Sequence, residues 1–283
     1  MRLELLSDAR AQLGEGPAWH AREQTLYWVD ILGKHLYAGT DMLLELDDFL
    51  GCLAPCKTGG LMLGLGTSLV ELDPATRELA TKVALREPAD NRINDGKCDP
   101  AGRFLVGTMD RYERQANGSL YSLEGQTVKK LLSGTRISNG MTWSSDHKTL
   151  YYIDTPTHAV QAFDYDLASG EIGNGRMAIR IPEALGWPDG MTSDTNGNLW
   201  IAMWGGAQVT QWDAATGQLL ERILVPALHT SSCIFGGADM NELYITSARS
   251  GMSPRELAEY PLSGGLFKVS TRVTGTPTYE FAS

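Results

Sequence analysis

The sequence has few of the features that mark membrane, secreted or nucleic-acid-binding proteins. No uncharged apolar run approaches the roughly 18 residues that span a membrane. Residues 1–17 carry charges instead of the apolar core of a signal peptide. Lysine and arginine form no run, and the net charge is −10. We therefore expect a protein that binds neither membranes nor nucleic acid.

Cysteine is also scarce, because the 283 residues contain only four. Four cysteines are too few for a disulfide scaffold in a chain of this length. A chain this long can bury roughly three-quarters of its unfolded surface, so it needs no cross-link to stay folded. We expect reduced, mostly buried thiols and a cytoplasmic protein.

Helical patterns are nearly absent from the sequence. Residues 253–260 are the one segment that predicts a helix, with Ser253 as the N-cap, Pro254 at the first position and Glu256 three residues after the cap. A parallel α/β fold needs helical crossovers of ten or more residues between its strands. The sequence therefore excludes that fold class.

What the chain does contain is a repeat of short apolar and aromatic runs that follow polar turns. The runs start 35 to 49 residues apart, at 26–30, 61–64, 104–108, 150–154, 199–203 and 243–247. A second predicted strand follows each run after a short gap. Six such units predict an all-β protein: a single six-bladed β-propeller domain over residues 1–283, with four-stranded antiparallel blades. We expect strands from both chain ends to close one blade.

Polar residues recur at one phase of this repeat. Glu15 and Asn139 stand 11 residues before the aromatic run of their unit, and Asp189 stands 10 before its own. Each of the three is followed by glycine. Equivalent positions of a propeller are related by rotation about the central channel, so we expect these side chains to meet near the axis. Cys233 shares the phase, and we interpret it as a packing residue.

Two carboxylates and one amide oxygen are a plausible ligand set for a divalent cation. Carboxylates brought together without a cation repel, and one of them is driven towards protonation. Oxygen ligands suit Ca²⁺, Mg²⁺ or Mn²⁺, and Zn²⁺ and Fe²⁺ also accept them. The alternative is that the three residues only cap turns, since Asn-Gly and Asp-Gly are common turn pairs. No Cys or His spacing indicates a structural zinc site.

Several motifs resemble the senescence marker protein (regucalcin) and gluconolactonase family. They lie around Glu15, at residues 92–103, around Asn139 and Asp189, and at residues 233–237, in the order that the family has. The resemblance implies a six-bladed propeller that hydrolyses sugar lactones with one divalent metal ion. It implies Glu15, Asn139 and Asp189 as metal ligands. It also implies that Arg92 and Asn94 contact the substrate.

The leading functional hypothesis is metal-dependent hydrolysis of a five- or six-membered sugar lactone to an aldonic acid. Asp189 is our preferred general base. The loop at 110–116 departs from the family pattern, and we expect its residues Arg111 and Tyr112 to contact the substrate at the channel mouth. Two alternatives stay open: a related propeller hydrolase of organophosphates or aryl esters, and a calcium- or partner-binding propeller without catalysis.

Overall fold

The computed structural model describes residues 2–282, and its regular structure is almost entirely β-strand. The strands form six separate sheets of four antiparallel strands each. The first strands of the six sheets contact one another in a closed ring. The predicted six-bladed β-propeller is therefore confirmed, and we number the blades along the chain.

The first three blades follow one another along the chain after strand β1 (Leu3–Ser7). Blade 1 contains β2 (Gly14–His20), β3 (Thr25–Asp30), β4 (His35–Ala38) and β5 (Asp41–Glu45). Blade 2 contains β6 (Leu50–Pro55), β7 (Leu61–Leu65), β8 (Ser68–Leu72) and β9 (Leu79–Ala84). Blade 3 contains β10 (Asn91–Cys98), β11 (Phe104–Asp110), β12 (Gly118–Glu124) and β13 (Thr127–Thr135).

The last three blades repeat this arrangement, and the sixth borrows a strand from the start of the chain. Blade 4 contains β14 (Ser138–Trp143), β15 (Thr149–Asp154), β16 (Ala159–Asp166) and β17 (Glu171–Arg180). Blade 5 contains β18 (Trp187–Ser193), β19 (Asn198–Trp204), β20 (Gln208–Asp213) and β21 (Leu219–Leu224). Blade 6 contains β22 (His229–Gly236), β23 (Glu242–Ala248) and β24 (Leu266–Ser270), and β1 pairs antiparallel with β24 as its outermost strand. Strands from both chain ends thus close one blade, as expected.

The hydrophobic core consists of six clusters, and each cluster lies between two neighbouring blades. Each sheet is covered by another sheet on both faces, so its central strands are mostly buried. This explains the continuous apolar runs, which form the second strand of every blade. The outermost strands are much less buried than the inner ones. In β21, for example, most residues are exposed, including Leu224. Packing between blades therefore holds the axial strands in place.

The chain beyond β24 crosses the propeller face and returns to an earlier blade. The backbone N–H of Thr276 donates to the carbonyl of Ser193 at 3.0 Å, and that of Phe281 donates to the carbonyl of Pro55 at 2.7 Å. Phe281 is buried in the cluster between blades 2 and 3. This segment links distant blades, and the repeat pattern did not predict its course.

The helix predicted at 253–260 is present as α1 (Pro254–Glu259). Ser253 and Glu256 form the reciprocal capping box on which that prediction rested. Two 3₁₀ turns, Thr155–Thr157 and Glu183–Leu185, were not predicted, because three-residue turns leave no periodic pattern. Within residues 2–282, no helix is long and apolar enough to cross a membrane. All four cysteines are free and buried.

Candidate active site

A cavity of about 820 Å³ lies where the first strands of blades 1, 3, 4 and 5 begin. Its wall includes side chains from loops as well as from these strands. All seven residues selected from the sequence line it: Glu15, Arg92, Asn94, Arg111, Tyr112, Asn139 and Asp189. The fold therefore brings the predicted site residues together in one space.

A β-bulge near the start of each first strand positions the polar side chains. The register with the second strand shifts in all six blades, after Glu15, Leu50, Ile93, Asn139, Pro188 and Thr230. A bulge turns side chains away from the regular alternation and raises the local twist. The polar residues thus recur at one position of the repeat because that position coincides with the bulge.

Glycine at two of these bulges permits close contact between neighbouring blades. A Cβ atom on Gly140 would lie 2.5 Å from the carbonyl oxygen of Asp189, and one on Gly190 would overlap the side chain of Ser232. The first strands of adjacent blades therefore touch through their backbones. This contact places Asn139 beside Asp189.

The three candidate metal ligands are buried and leave oxygen atoms without hydrogen-bond partners. Glu15, Asn139 and Asp189 are each about 5 % exposed or less. Among residues 2–282, Asn139 Oδ1 and Asp189 Oδ1 have no hydrogen-bond partner. Glu15 Oε2 accepts one bond, from the backbone N–H of Gly16 at 2.9 Å. Buried polar atoms without partners are costly and call for a ligand or ion.

Thr155 orients the amide of Asn139. Asn139 Nδ2 donates to Thr155 Oγ1 at 2.9 Å, and that hydroxyl donates to the carbonyl of Pro188 at 2.9 Å. With the NH₂ group engaged, the amide oxygen is left for another partner. The hydroxyl also ties Asn139 to the strand that carries Asp189.

The electrostatics of the two carboxyl groups favour a cation between them. Burial and then the negative charge of Asp95 raise the pKa of Glu15 to about 8. Burial and then the charges of Glu15 and Asp95 raise the pKa of Asp189 well above its usual range. A divalent cation would offset this repulsion and hold both groups ionised.

The donor set therefore fits a hard divalent ion. Residues 2–282 contain no group of three His, Cys, Asp or Glu side chains arranged for a metal, and the third oxygen here comes from an amide. Glu15, Asn139 and Asp189 supply oxygen only, which suits Ca²⁺, Mg²⁺ or Mn²⁺. The two partnerless oxygens of Asn139 and Asp189 support this fit.

Arg92 and Asn94 form a rigid polar pair on the same wall. Arg92 Nη1 donates to Asn94 Oδ1 at 2.7 Å and to the carbonyl of Ile93 at 3.1 Å, and Asn94 Nδ2 donates to the carbonyl of Ser138 at 2.9 Å. Burial lowers the pKa of Arg92 to about 10, so it stays protonated at neutral pH. These bonds leave other guanidinium N–H groups for substrate oxygens.

The loop after β11 reaches the cavity, as its position in the sequence predicts. Arg111 and Tyr112 line the wall, and the centre of the Tyr112 ring lies 4.8 Å from the guanidinium carbon of Arg111 and 4.5 Å from that of Arg114. Arg114 is anchored to Asp110 at 3.0 Å and to Asp90 at 2.7 Å. The loop is therefore tied down by charge pairs at the mouth.

Sequence reasoning missed several residues around the site. Asp95 is a third buried carboxylate, and its charge acts on both Glu15 and Asp189. The pair Asp95-Gly96 repeats the acidic-residue–glycine pattern of the candidate ligands, so a signal for it was present. Thr155 and the cavity-lining tryptophans Trp187 and Trp204 carried no such pattern.

Two other residues considered from the sequence lie outside the cavity wall formed by residues 2–282. Cys233 is buried, and its Sγ donates to the carbonyl of Trp200 at 3.4 Å, in agreement with a packing role. His20 is buried at the far end of β2, where Nε2 lies 3.4 Å from Glu23 Oε1.

The chain is similar to known proteins over nearly its whole length. A family model described as the SMP-30/Gluconolactonase/LRE-like region matches residues 13–249. Regucalcin of Gallus gallus is 40 % identical, over the whole chain and 99 % of that protein. The structure of a calcium-binding protein, regucalcin, from Agrobacterium tumefaciens has a TM-score of 0.92 at 28 % identity, covering 97 % of this chain and 96 % of that one. A gluconolactonase from Xanthomonas campestris has a TM-score of 0.76 at 25 % identity, covering 97 % and 90 %.

Proposed function

The chain belongs to the SMP-30, gluconolactonase and LRE-like family, and we propose that it hydrolyses a sugar lactone to an aldonic acid with one divalent metal ion. The observation that carries the proposal is the meeting of Glu15, Asn139 and Asp189 beside Arg92 in one cavity, with two buried oxygens left unpartnered.

Glu15, Asn139 and Asp189 are the residues that would hold the ion. The ion's chemistry there is Lewis acidity towards the lactone carbonyl. Thr155 keeps the oxygen of Asn139 available by engaging its NH₂ group. Ionised carboxylates are required for this role, so proton release accompanies loading of the site.

Asp189 also serves as the base in this proposal. Its carboxylate has two oxygens, so one would bind the ion while the other accepts a proton from water. The water oxygen then bonds to the carbonyl carbon, and the bond from that carbon to the ring oxygen breaks. The proton held by Asp189 passes to the ring oxygen, which becomes a hydroxyl group of the aldonic acid.

Arg92, Asn94 and the loop residues position the substrate. The guanidinium of Arg92 is fixed by Asn94, so it offers N–H donors to sugar oxygens without reorganisation. Arg111 and Tyr112 face the same cavity from the mouth and would bind hydroxyl groups at the other end of the sugar. This division separates the reacting bond from the groups that select the sugar.

The test is a lactone assay with controlled metal content. The protein is stripped with a chelator, and hydrolysis of glucono-1,5-lactone is followed with a pH indicator above the spontaneous rate. Ca²⁺, Mg²⁺, Mn²⁺ and Zn²⁺ are restored one at a time, and the Asp189→Ala protein serves as the matched inactive control. Failure of every metal to restore turnover of any sugar lactone would overturn the proposal.

A calcium-binding propeller without catalysis is the second candidate. It is favoured by the neighbouring structure that is described as a calcium-binding protein. This alternative predicts that the stripped protein binds Ca²⁺ at Glu15, Asn139 and Asp189 but hydrolyses no lactone. The remaining alternative is a propeller hydrolase of another ester class. Turnover of an aryl ester or a phosphotriester in the same assay would identify it.

A further inference from the structure

The tryptophans of this chain divide sharply by location. Five of the seven are packed in the core and are at most 6 % exposed: Trp19, Trp28, Trp143, Trp200 and Trp212. The other two, Trp187 and Trp204, both line the cavity, and Trp187 is 45 % exposed. A large aromatic surface left open to solvent at a cavity is typical of a binding surface.

Trp187 and Trp204 lie beside each other at the cavity. They are register partners at the adjoining ends of β18 and β19, the two inner strands of blade 5. Each indole also contacts a histidine ring. His158 lies 4.0 Å from Trp187 between ring centroids, and His229 stacks on Trp204 at 4.2 Å with an angle of 7°.

We call these four rings the aromatic arc: His158, Trp187, Trp204 and His229. The two histidines lie outside the cavity wall formed by residues 2–282, whereas both tryptophans belong to it. Burial lowers the pKa of His229, so at neutral pH its ring is uncharged and packs as an aromatic ring. His158 of blade 4 therefore packs against Trp187, and His229 of blade 6 packs against Trp204.

The charged residues of the cavity wall restrict the kind of ligand that the cavity can hold. Arg111, Glu113 and Arg136 line the same cavity, and Arg136 Nη2 donates to the carbonyl of Glu113 at 3.2 Å. A wholly apolar ligand would desolvate these charged groups without replacing their hydrogen bonds. A sugar ring has a C–H face that packs on indole and hydroxyl groups at its edge, so it matches both parts of the wall.

The arc lies beside the reacting position, not on it. Trp187 precedes Asp189 by two residues along β18, which places their Cα atoms about 7 Å apart in an extended strand. The cavity, at about 820 Å³, is at the upper end of the range that accommodates drug-sized ligands. A single sugar lactone held near Asp189 would leave much of this volume unfilled.

We propose that the aromatic arc binds the C–H face of a second sugar ring, so that the substrate is the aldonolactone of a disaccharide. This inference rests on the proposed lactone hydrolysis and names its substrate class. Trp187 and Trp204 are specificity-determining residues in this role. The reacting ring lies near Asp189, and the second ring extends towards Trp187 and Trp204.

Binding of lactams, which resist hydrolysis, tests the arc directly. Glucono-1,5-lactam and its cellobiose counterpart are titrated into the chain by calorimetry. The disaccharide should bind at least five-fold more tightly to the natural protein. Trp187→Ala and Trp204→Ala should each reduce this preference about three- to ten-fold. Trp204→Phe should retain most of it. Leu224→Ala, an exposed residue on the outermost strand of the same blade, should retain all of it.

The hydrolysis assay separates failure of this inference from failure of the proposed function. The ratio of kcat/KM for cellobionolactone to that for gluconolactone should fall in the two alanine variants as the binding preference does. Equal affinity of the natural protein for the two lactams would overturn the second-ring site, even if gluconolactone is hydrolysed. Tighter lactam binding that depends on the tryptophans would support the arc, even if no lactone is turned over.

Discussion

Thr155→Val should loosen the candidate metal site without removing any ligand. The substitution replaces the hydroxyl with a methyl group of similar size at a residue that is 8 % exposed. It breaks the bond from Asn139 Nδ2 and the bond to the Pro188 carbonyl, both 2.9 Å long. The amide of Asn139 is then no longer held in one orientation by Thr155.

The magnitude follows from the groups that lose their partners. Each buried polar group left unpaired costs about 1–3 kcal/mol, and burial of the added methyl group returns about 1 kcal/mol. Two groups lose their partners, so we expect the free energy of unfolding to fall by about 1–5 kcal/mol. Loss of a residue that orients a metal ligand typically weakens metal binding about 10- to 100-fold.

Calorimetric titration of the stripped protein with Ca²⁺ and Mn²⁺ measures the affinity, and urea unfolding measures the stability. Thr155→Ser keeps the hydroxyl and should bind metal like the natural protein. Thr157→Val removes a hydroxyl from the same 3₁₀ turn, where it donates to the Asp154 carbonyl at 2.7 Å, and serves as the matched control. Unchanged metal affinity in Thr155→Val would refute the orienting role of Thr155.

Three further predictions concern the ligands and the loop. Asp189→Ala should abolish metal-dependent turnover while the propeller stays folded, and a variant that still binds one metal per chain at full activity would refute the ligand assignment. In the stripped protein between pH 4.5 and about 8, Glu15 holds a proton in the native state that it has released in the unfolded state. The contribution of Glu15 to stability should therefore fall as the pH rises through this window, by at most about 1.4 kcal/mol per pH unit. Urea unfolding of the natural protein and of Glu15→Gln at pH 5.5 and 7.5 isolates this contribution, and a difference that grows in favour of the natural protein at the higher pH would contradict the raised pKa. Arg111→Ala or Tyr112→Ala should raise KM for the lactone about two- to ten-fold, since each lost hydrogen bond is worth about 0.5–1.5 kcal/mol. Metal affinity should stay unchanged. If kcat/KM for every lactone equals that of the natural protein, the loop does not belong to the site.

The architecture was predictable because each blade repeats the same local chemistry. Polar turns followed by apolar runs mark the second strand of every blade, and the capping box at Ser253 marks the one α-helix. Glycine after Glu15, Asn139 and Asp189 marks the bulges, because these positions tolerate no Cβ or need special backbone geometry. These signals are local, so they can be read along the chain.

Parts of the site depended on contacts between residues far apart in sequence. The Thr155 hydroxyl donates to the carbonyl of Pro188, which lies 33 residues away in sequence. Thr155 belongs to a 3₁₀ turn that was not predicted, so nothing in the sequence indicated this contact. Asp95 had a signal in its following glycine, yet the spacing of the repeat directed attention to Asn94 instead. The bulge in β10 shifts the register between Ile93 and Asp95, so the orientation of the Asp95 side chain does not follow from regular strand alternation.

Local propensity and repeat phase determine the propeller, the axial position of Glu15, Asn139 and Asp189, and the oxygen chemistry of that group. Closure of the six blades determines which side chains then share a cavity. Trp187 and Trp204 read as ordinary strand residues along the chain, and only pairing of β18 with β19 and the approach of blades 4 and 6 bring them together at the cavity, each against a histidine. The physical reason is that strand propensity acts over a few residues, whereas a cavity wall is built from packing between blades that lie tens of residues apart.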